Sequence, residues 1–463
     1  MTNGRTEKGT TVKTSTDVAP TTSSPPLDLL SSLKVSRRFQ RSPLQTLTSL
    51  QERYGDFIRL TLGGRRAVIL NHPEDIRNVL VVNPGSYQKV VRPGAERTLV
   101  GDGLLRSEGE FHRRQRRLIQ PSFHRQRIAE YAAVMSDYAQ RWSERWRDGA
   151  EVDMAAEMNA LTLAIVAKTL FDANVEGEAS AVREALGLAM KLMSANRFSP
   201  LAPLLRRLPL PAHRRLAQAE ATLDAIVLQI IEDRREKDGD HHDLLATLIE
   251  AVDVEGDGTG MTDQQLRDEV MTLFVAGHET TSNWLTWTWY LLAQYPEVAE
   301  RLHGELKAVL GDRPATFEDV PQLPYTRLVL TESLRVYPPV WTMARQAATE
   351  TEIRNVTIPT GTIVLLSQWV VHHDSRWYAD PYTFDPERWR DLLPNLPRLA
   401  FFPFGAGPRI CIGEPFAWME ATLILATLIR AFRADLAPNQ KVIPEPLVTL
   451  RPKGGLPMTL SGR

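Results

Sequence analysis

Apolar residues follow a helical spacing through most of the chain, and short strand-like segments occur towards its two ends. Near the N-terminus, alternation over residues 54–60, a glycine pair at 63–64 and an apolar segment at 67–70 predict a strand, a turn and a second strand. A helix should begin at His72-Pro73. Residues 151–239 are helical in pattern, with breaks near 174–178 and 200–211. The chain is therefore predicted to be mainly α with small β-sheets.

The longest helical pattern covers residues 263–294. Thr262 and Gln265 have the spacing of a capping box at its start, and the pattern stops before Pro296. At about 1.5 Å per residue this helix would be roughly 48 Å long, enough to cross a domain.

The centre of this helix, Ala276-Gly277-His278-Glu279-Thr280-Thr281, is poor helix-forming sequence, so we expect a ligand to approach the backbone there. Ala276 and Thr280 share a face on which a flat ligand could lie, with Gly277 beside them. Glu279 and Thr280 place an acid beside an alcohol, a pair that can relay protons. The alternative is a helix bent by threonines bonding to their own backbone. A zinc site of the His-Glu-x-x-His type is excluded because position 282 is Ser.

Further helix and strand signals follow. A helix should begin at Pro324 and end before Pro338-Pro339; its Glu332 and Arg335, taken alone, would be an ordinary surface pair. Residues 340–345 are predicted as a strand, and residues 352–358 and 363–367 as two strands joined by a turn at 359–362. The last 30 or so residues should form terminal strands or hairpins.

Composition narrows the class of protein. The 463 residues carry 55 basic and 56 acidic side chains, so no net charge suggests nucleic-acid binding. The single cysteine excludes an internal disulfide bond. Residues 1–26 are rich in Thr, Ser, Gly and Pro and are expected to be a disordered tail preceding one domain at 27–463. No apolar run approaches the ~20 residues of a membrane span, and no signal-peptide pattern occurs, so a cytoplasmic protein without a transmembrane segment is expected.

The single cysteine lies in Phe404-Gly405-Ala406-Gly407-Pro408-Arg409-Ile410-Cys411-Ile412-Gly413, which three glycines and a proline make a tight loop. An apolar helix at 416–432 follows, with Pro415 in its first turn. A sulfur just before a helix N-terminus favours the thiolate, which is a metal ligand. The alternatives are an inert buried cysteine and a dinucleotide-binding loop, for which Ile410 stands where the third glycine is required.

Two segments of the first quarter also carry candidates. Residues 83–105 lack periodicity and form a loop long enough to suggest a function. In the basic segment 109–117, His112 and Arg116 are i,i+4 neighbours and can contact one object together. A solvated basic helix is the alternative, and the other arginines could form a docking face for an acidic partner.

The cysteine loop resembles the haem-binding signature of the cytochrome P450 family, Phe-x-x-Gly-x-Arg-x-Cys-x-Gly, with every fixed position matched at 404, 407, 409, 411 and 413. Residues 276–281 are similar to the family's Ala/Gly-Gly-x-Asp/Glu-Thr-Thr/Ser motif. The resemblance implies one mostly helical domain holding haem b between the long central helix and the cysteine-loop helix. It also implies that Cys411 is the axial thiolate ligand and that residues 83–105 cap a substrate pocket.

The resemblance implies roles for further residues. Glu279 and Thr280 would be catalytic. Glu332, Arg335 and Arg388 would form a buried network that holds the cysteine loop. Haem propionates would be bound by His112, Arg116, Arg345 and Arg409, and other cofactor contacts would come from Phe404, Gly405, Gly413, Ala276 and Gly277. The substrate-pocket candidates are apolar: Val91, Phe198, Leu273, Phe274, Val340, Trp341 and Met343.

The implied reaction is insertion of one oxygen atom from dioxygen into a lipophilic small molecule. Electrons would come from a separate ferredoxin or flavodoxin with its NAD(P)H reductase, and a monomer is expected. A peroxide-driven haem-thiolate peroxygenase is an alternative, although the intact Glu279-Thr280 pair argues against it. A haem-thiolate binding or sensor protein without turnover is the other.

Overall fold

The computed structural model describes residues 26–90, 99–195, 211–236, 243–250 and 260–463. Within them most residues are helical. The first helices are α1 Leu29–Arg41, α2 Pro43–Tyr54, α3 Pro73–Arg77, α4 Gly109–Ile119, α5 Arg125–Arg145, α6 Met154–Phe171, α7 Ala179–Ala195 and α8 Pro211–Glu236. The later ones are α9 Leu244–Glu250, α10 Asp263–Gln294, α11 Pro296–Leu310, α12 Pro324–Val336, α13 Gln368–His372, α14 Arg388–Leu392 and α15 Glu414–Ala431.

The strands of the described residues form four small sheets. They are β1 Phe57–Leu62, β2 Arg65–Leu70, β3 Tyr87–Gln88, β4 Glu151–Asp153, β5 Met343–Ala347, β6 Thr351–Ile353, β7 Val356–Ile358, β8 Ile363–Leu366, β9 Phe432–Leu436, β10 Pro444–Pro446, β11 Leu450–Pro452 and β12 Pro457–Gly462. The five-stranded sheet has the order β1-β2-β8-β5-β3, in which β2 and β8 are parallel. Strands β4, β12 and β9 form a second sheet, and β10-β11 and β6-β7 are hairpins. The mainly α fold with small sheets is confirmed.

Helix α10 has the bounds that the sequence predicts and is the centre of the main core. Its start is fixed by the expected capping box, in which Gln265 N donates to Thr262 Oγ1 (3.3 Å) and Thr262 N donates to Gln265 Oε1 (2.9 Å). Helix α6 packs along it, and α15 packs against both α10 and α5. These contacts bring the motif at 276–281 and the cysteine-loop helix into one core.

Several elements differ from their predictions. Residues 352–358 form a hairpin rather than one strand, because Arg354 and Asn355 both adopt positive φ (53° and 59°) and reverse the chain. The strand predicted at 340–345 is β5, three residues further on. Residues 151–153 are a strand before α6. Residues 200–210 of the predicted break at 200–211 lie outside the described residues. Helix α8 begins at Pro211.

Helix α6 is the one helix among the described residues that is long and apolar enough to cross a membrane, which the length of apolar runs did not predict. Of this 18-residue segment, 72% is buried within the protein. Its apolar composition is explained by its position against α10 in the core.

The expected ion network of Glu332, Arg335 and Arg388 is present. Glu332 and Arg335 are both 0% exposed. Glu332 accepts hydrogen bonds from Arg335 Nε (2.8 Å), Arg388 Nε (2.9 Å), Trp389 Nε1 (2.8 Å) and Asp385 N (3.1 Å). With so many donors on one carboxylate, the pair is structural rather than a surface ion pair.

Candidate active site

The cysteine loop is closed by its own backbone. Cys411 N donates to Phe404 O (3.0 Å), and Gly405 N donates to Phe402 O (3.0 Å). Gly405 and Gly407 adopt φ of 74° and 68°, which favour glycine. A Cβ at Gly407 would also overlap the carbonyl oxygen of Leu80. The loop therefore needs glycine at 407 for both conformation and space.

Cys411 is accessible, yet it is surrounded by protein closely enough that burial raises the pKa of its thiol to about 11. A side chain with both properties borders an internal space rather than the outer surface. The backbone N–H groups of Gly413 and Glu414 and the guanidinium of Arg116 favour the thiolate. The expectation of a thiolate is thus only partly met, because burial raises the pKa of Cys411 by more than the N–H groups at the helix N-terminus lower it. A ligating cation would be needed to keep the sulfur ionised.

Cationic side chains converge beside the cysteine loop. Arg409 donates to Ser107 O (2.7 Å) and to Glu108 Oε2 (2.5 Å), and Arg116 donates to Ile410 O (2.9 Å). Arg345 is 9% exposed, and burial together with Arg409 lowers its pKa. These expected propionate partners are brought together.

Lys89 belongs to the same cluster, although sequence reasoning missed it. Burial, with Arg345 and Arg409 nearby, lowers the pKa of Lys89 to about 7. Its backbone N donates to Glu108 Oε1 (2.6 Å). Lys89 lies in an aperiodic loop, where a single lysine carries no sequence signal.

His112 is buried, and burial with Arg409 and Arg116 lowers its pKa to about 4. It is therefore neutral at pH 7 and would offer an N–H donor rather than a charge. The cluster has an excess of positive charge, because Glu108 is the acidic side chain that acts on its cations. Its other members are Lys89, His112, Arg116, Arg345 and Arg409. Such an excess in a desolvated place fits an anionic ligand with two carboxylates.

The centre of α10 is a continuous helix despite its poor helix-forming sequence. Ala276 is exposed and Thr280 half-buried, although most of their neighbours on this helix are buried. Thr280 Oγ1 donates to Ala276 O (2.9 Å). This face therefore borders an interior space, as the flat-ligand interpretation requires.

Two residues of this helix face elsewhere. A Cβ at Gly277 would lie 3.1 Å from Val166 Cγ2, so the small size of this residue serves the packing of α10 on α6. Phe274 is 0% exposed and packs on Phe171 (ring centroids 6.4 Å apart) and on His278. Phe274 is thus a core residue and not a pocket residue, because it lies on the α6 side of the helix.

Glu279 is buried and contacts polar side chains that the sequence did not predict as its partners. Its Oε1 accepts from Asn283 Nδ2 (3.0 Å) and Thr449 Oγ1 (3.1 Å). Asn159 Nδ2 lies 3.5 Å from its Oε2. The hydrogen bonds of Glu279 thus go to these residues, whereas the hydroxyl of neighbouring Thr280 bonds to its own helix.

The remaining pocket candidates have mixed outcomes. Val91 and Phe198 lie outside the described residues. Leu273 is buried on the Ala276–Thr280 side of α10, and Val340 is half-buried. Met343 Cε lies 3.5 Å from where a Cβ of Gly405 would stand, which places it beside the cysteine loop.

Trp341 is 1% exposed and donates from Nε1 to Leu447 O (3.1 Å). It borders a cavity of about 330 Å³ whose walls include Phe39, Lys191 and Leu447. Phe404 packs in an aromatic cluster with Trp284 and Trp418, on the core side of the cysteine loop.

Residues 99–105 of the expected capping loop are attached to the first half of α10. Asp102 N donates to Asp268 Oδ2 (2.9 Å) and Leu104 N donates to Glu269 Oε2 (2.9 Å). Gln115 Nε2 donates to Glu269 Oε1 (3.0 Å), and burial raises the pKa of Glu269 to about 7. This part of the loop is therefore fixed by side chains of the helix that bears Thr280.

Comparison with known proteins decides the family. The family described as Cytochrome P450 matches residues 22–457. The chain is a cytochrome P450. It is 41% identical to cyclooctat-9-en-7-ol 5-monooxygenase of Streptomyces melanosporofaciens, over 86% of each chain. It is 38% identical to cyclooctatin synthase of the same organism, over 89% of each chain. It is 35% identical to pentalenene oxygenase of Streptomyces avermitilis, over 92% of this P450 and 94% of that protein.

Membership of this family, with relatives named as monooxygenases, makes the protein a cytochrome P450 monooxygenase. The family implies a haem with cysteine thiolate ligation. The enclosed Cys411 and the adjacent cationic cluster fit that cofactor on their own chemistry.

Proposed function

We propose that this P450 hydroxylates or epoxidises a terpenoid, using Cys411 as the haem ligand and Glu279 with Thr280 for proton delivery. Three relatives support the substrate class: the cyclooctatin and pentalenene enzymes are 35–41% identical over nearly the whole chain. The observation that carries the site assignment is the enclosed thiol next to a desolvated excess of positive charge.

Haem, when bound, supplies the chemistry of dioxygen activation. Cys411 would hold its iron, with the N–H groups of Gly413 and Glu414 stabilising the thiolate. Lys89, Arg116, Arg345 and Arg409 would neutralise its carboxylates and His112 would donate an N–H. Gly405 and Gly407 give the loop the shape that presents the sulfur.

Proton delivery is assigned to the two side chains at the centre of α10. The Thr280 hydroxyl would donate its proton into the reaction space and regain one from Glu279 through water, since no direct contact joins them. To donate, Thr280 Oγ1 turns away from Ala276 O, to which it is bonded at 2.9 Å.

The remaining features of the proposal are a cytoplasmic location, a monomeric state, a domain beginning near residue 27, and electrons from a separate ferredoxin or flavodoxin with its NAD(P)H reductase. The experiment supplies a surrogate ferredoxin, its reductase, NADPH and ¹⁸O-labelled dioxygen. Pentalenene and cyclooctat-9-en-7-ol are compared with lauric acid as a non-terpenoid of similar apolarity.

We expect one labelled oxygen atom in a terpenoid product and none in lauric acid. Titration of each compound against the oxidised protein should shift the Soret band for the terpenoids alone. Oxidation or binding of lauric acid only would refute the substrate class. Product formed with hydrogen peroxide alone, and none with the reductase, would refute the monooxygenase assignment in favour of a peroxygenase.

A further inference from the structure

Four polar residues meet in the apolar core around Glu279. Asn159, Glu279, Asn283 and Thr449 are each only 5–7% exposed. They come from α6, α10 and the loop between β10 and β11. Burying a polar side chain costs free energy unless it is hydrogen-bonded, and these four side chains meet that requirement by bonding to one another.

The two oxygens of Glu279 are bonded unequally. Oε1 accepts from both Asn283 Nδ2 (3.0 Å) and Thr449 Oγ1 (3.1 Å), whereas within the part of the chain that the structure describes Oε2 has only the 3.5 Å contact with Asn159 Nδ2. A carboxylate with one oxygen held by two donors has a defined orientation. The lightly bonded Oε2 is then the oxygen that keeps lone pairs available to take up and release a proton.

Both donors to Oε1 are neutral. A carboxamide and a hydroxyl orient a carboxylate without adding the charge of a buried lysine or arginine, which would hold it permanently ionised. Asn283 is one turn after Glu279 on α10 and also donates to its backbone oxygen (2.9 Å), so its side chain is held on the same side.

Thr449 is held in place by two tryptophans. In the loop that bears it, Leu447 O accepts from Trp341 Nε1 (3.1 Å) and Leu450 O accepts from Trp287 Nε1 (3.0 Å). Leu450 N donates to Pro339 O (2.8 Å). The hydroxyl of Thr449 is therefore carried by a segment tied both to α10 and to the wall of the 330 Å³ cavity.

We propose that Thr449 and Asn283 are positioning residues that orient Glu279 for proton transfer at Oε2. This inference rests on the proposed role of Glu279. Leu447 and Trp341, which line the cavity, belong to the same hydrogen-bonded segment as Thr449.

The test uses the full haem-loaded protein with a surrogate ferredoxin, its reductase and NADPH, without added substrate. The measured quantities are the rate of dioxygen consumption and its kinetic solvent isotope effect in D₂O. Dioxygen reduction takes two electrons and two protons to hydrogen peroxide, or four of each to water, so both of these products require proton delivery. Superoxide, the one-electron product, requires none, and its share of the dioxygen consumed is measured separately and subtracted. The variants are Thr449→Val, Asn283→Leu and Glu279→Gln.

Thr449→Val keeps shape and removes the hydroxyl, whereas Thr449→Ser keeps the hydroxyl. Thr169→Val is the matched control, since Thr169 is also buried and its hydroxyl donates within α6, to Ile165 O (2.7 Å). The Soret band of the reduced carbon monoxide form verifies that every variant retains ligated haem.

We expect Thr449→Val and Asn283→Leu to slow dioxygen consumption at least about fivefold, the factor that a difference of about 1 kcal/mol produces, with a larger solvent isotope effect. Thr449→Ser and Thr169→Val should stay within about twofold of wild type, a difference below that of one hydrogen bond. Slowing by Glu279→Gln without slowing by Thr449→Val or Asn283→Leu would overturn this inference alone. A Glu279→Gln variant as fast as wild type would overturn the proposed role of Glu279, and with it this inference.

Discussion

Glu269 makes the stability of this P450 depend on pH in a defined direction. It is 0% exposed on α10 and accepts from Leu104 N and Gln115 Nε2. Burial raises the pKa of its carboxyl from 4.5 to about 7. The folded protein thus holds this proton more tightly than the unfolded chain, so the contribution of Glu269 to stability is fully present below pH 4.5 and is lost as the pH rises through about 7.

The magnitude follows from the shift. From 4.5 to about 7 is roughly 2.5 units at 1.36 kcal/mol each, or about 3 kcal/mol of stability lost on ionisation. An unfolding entropy of about 2.1 cal/mol/K per residue gives about 1 kcal/mol/K for a chain of this length. Removing the ionisation should therefore raise Tm by about 3 °C at pH 8 and hardly change it at pH 4.5.

The perturbation is Glu269→Gln, whose amide oxygen can still accept from Leu104 N while Gln115 rotates its own amide. Tm is measured by differential scanning calorimetry between pH 4.5 and 8 for wild type, Glu269→Gln and the control Glu297→Gln, which removes an exposed carboxylate of α11. The difference between Glu269→Gln and wild type should grow with pH, and that of the control should not. A pH-independent difference, or destabilisation that increases with pH, would refute the assignment of Glu269 as a buried acid with a raised pKa.

Three further substitutions test the site and its support. Glu332→Gln leaves Arg335 without its buried partner and should cost about 3–5 kcal/mol, measured by denaturant unfolding, with haem retention falling in parallel. Gly407→Ala requires φ of 68° and overlaps Leu80 O, so it should destabilise by more than about 1–2 kcal/mol, the cost of the left-handed conformation alone; equal stability of this variant by calorimetry would contradict the loop geometry. Lys89→Met should weaken haem binding about tenfold, as expected for one lost charged hydrogen bond of about 1.5 kcal/mol; haem transfer to apomyoglobin measures this, and unchanged transfer would remove Lys89 from the cofactor site.

Local signals account for what was predictable from the sequence. The bounds of α10 follow from its capping box and from Pro296, and the cysteine loop follows from glycines whose positive φ the structure confirms. The proximity of His112 and Arg116 was predictable because i,i+4 neighbours lie on the same face of a helix in any fold.

Long-range packing accounts for what was not. Thr449 contacts Glu279 across 170 positions, and neither residue carries a periodic signal that pairs them. Gly277 was expected at the cofactor and Phe274 in the substrate pocket, yet the side of α10 that faces α6 is set by tertiary contacts. Arg354-Asn355 was missed as a turn because arginine rarely adopts positive φ.

The most direct test of the central claim is the absorption spectrum of the dithionite-reduced protein under carbon monoxide, for wild type and Cys411→Ser. We expect wild type to show the strongly red-shifted Soret band of thiolate-ligated haem, and the variant to lose it. A wild-type band at the position typical of histidine-ligated haem, or the same red-shifted band in Cys411→Ser, would contradict the assignment of Cys411 as the haem ligand.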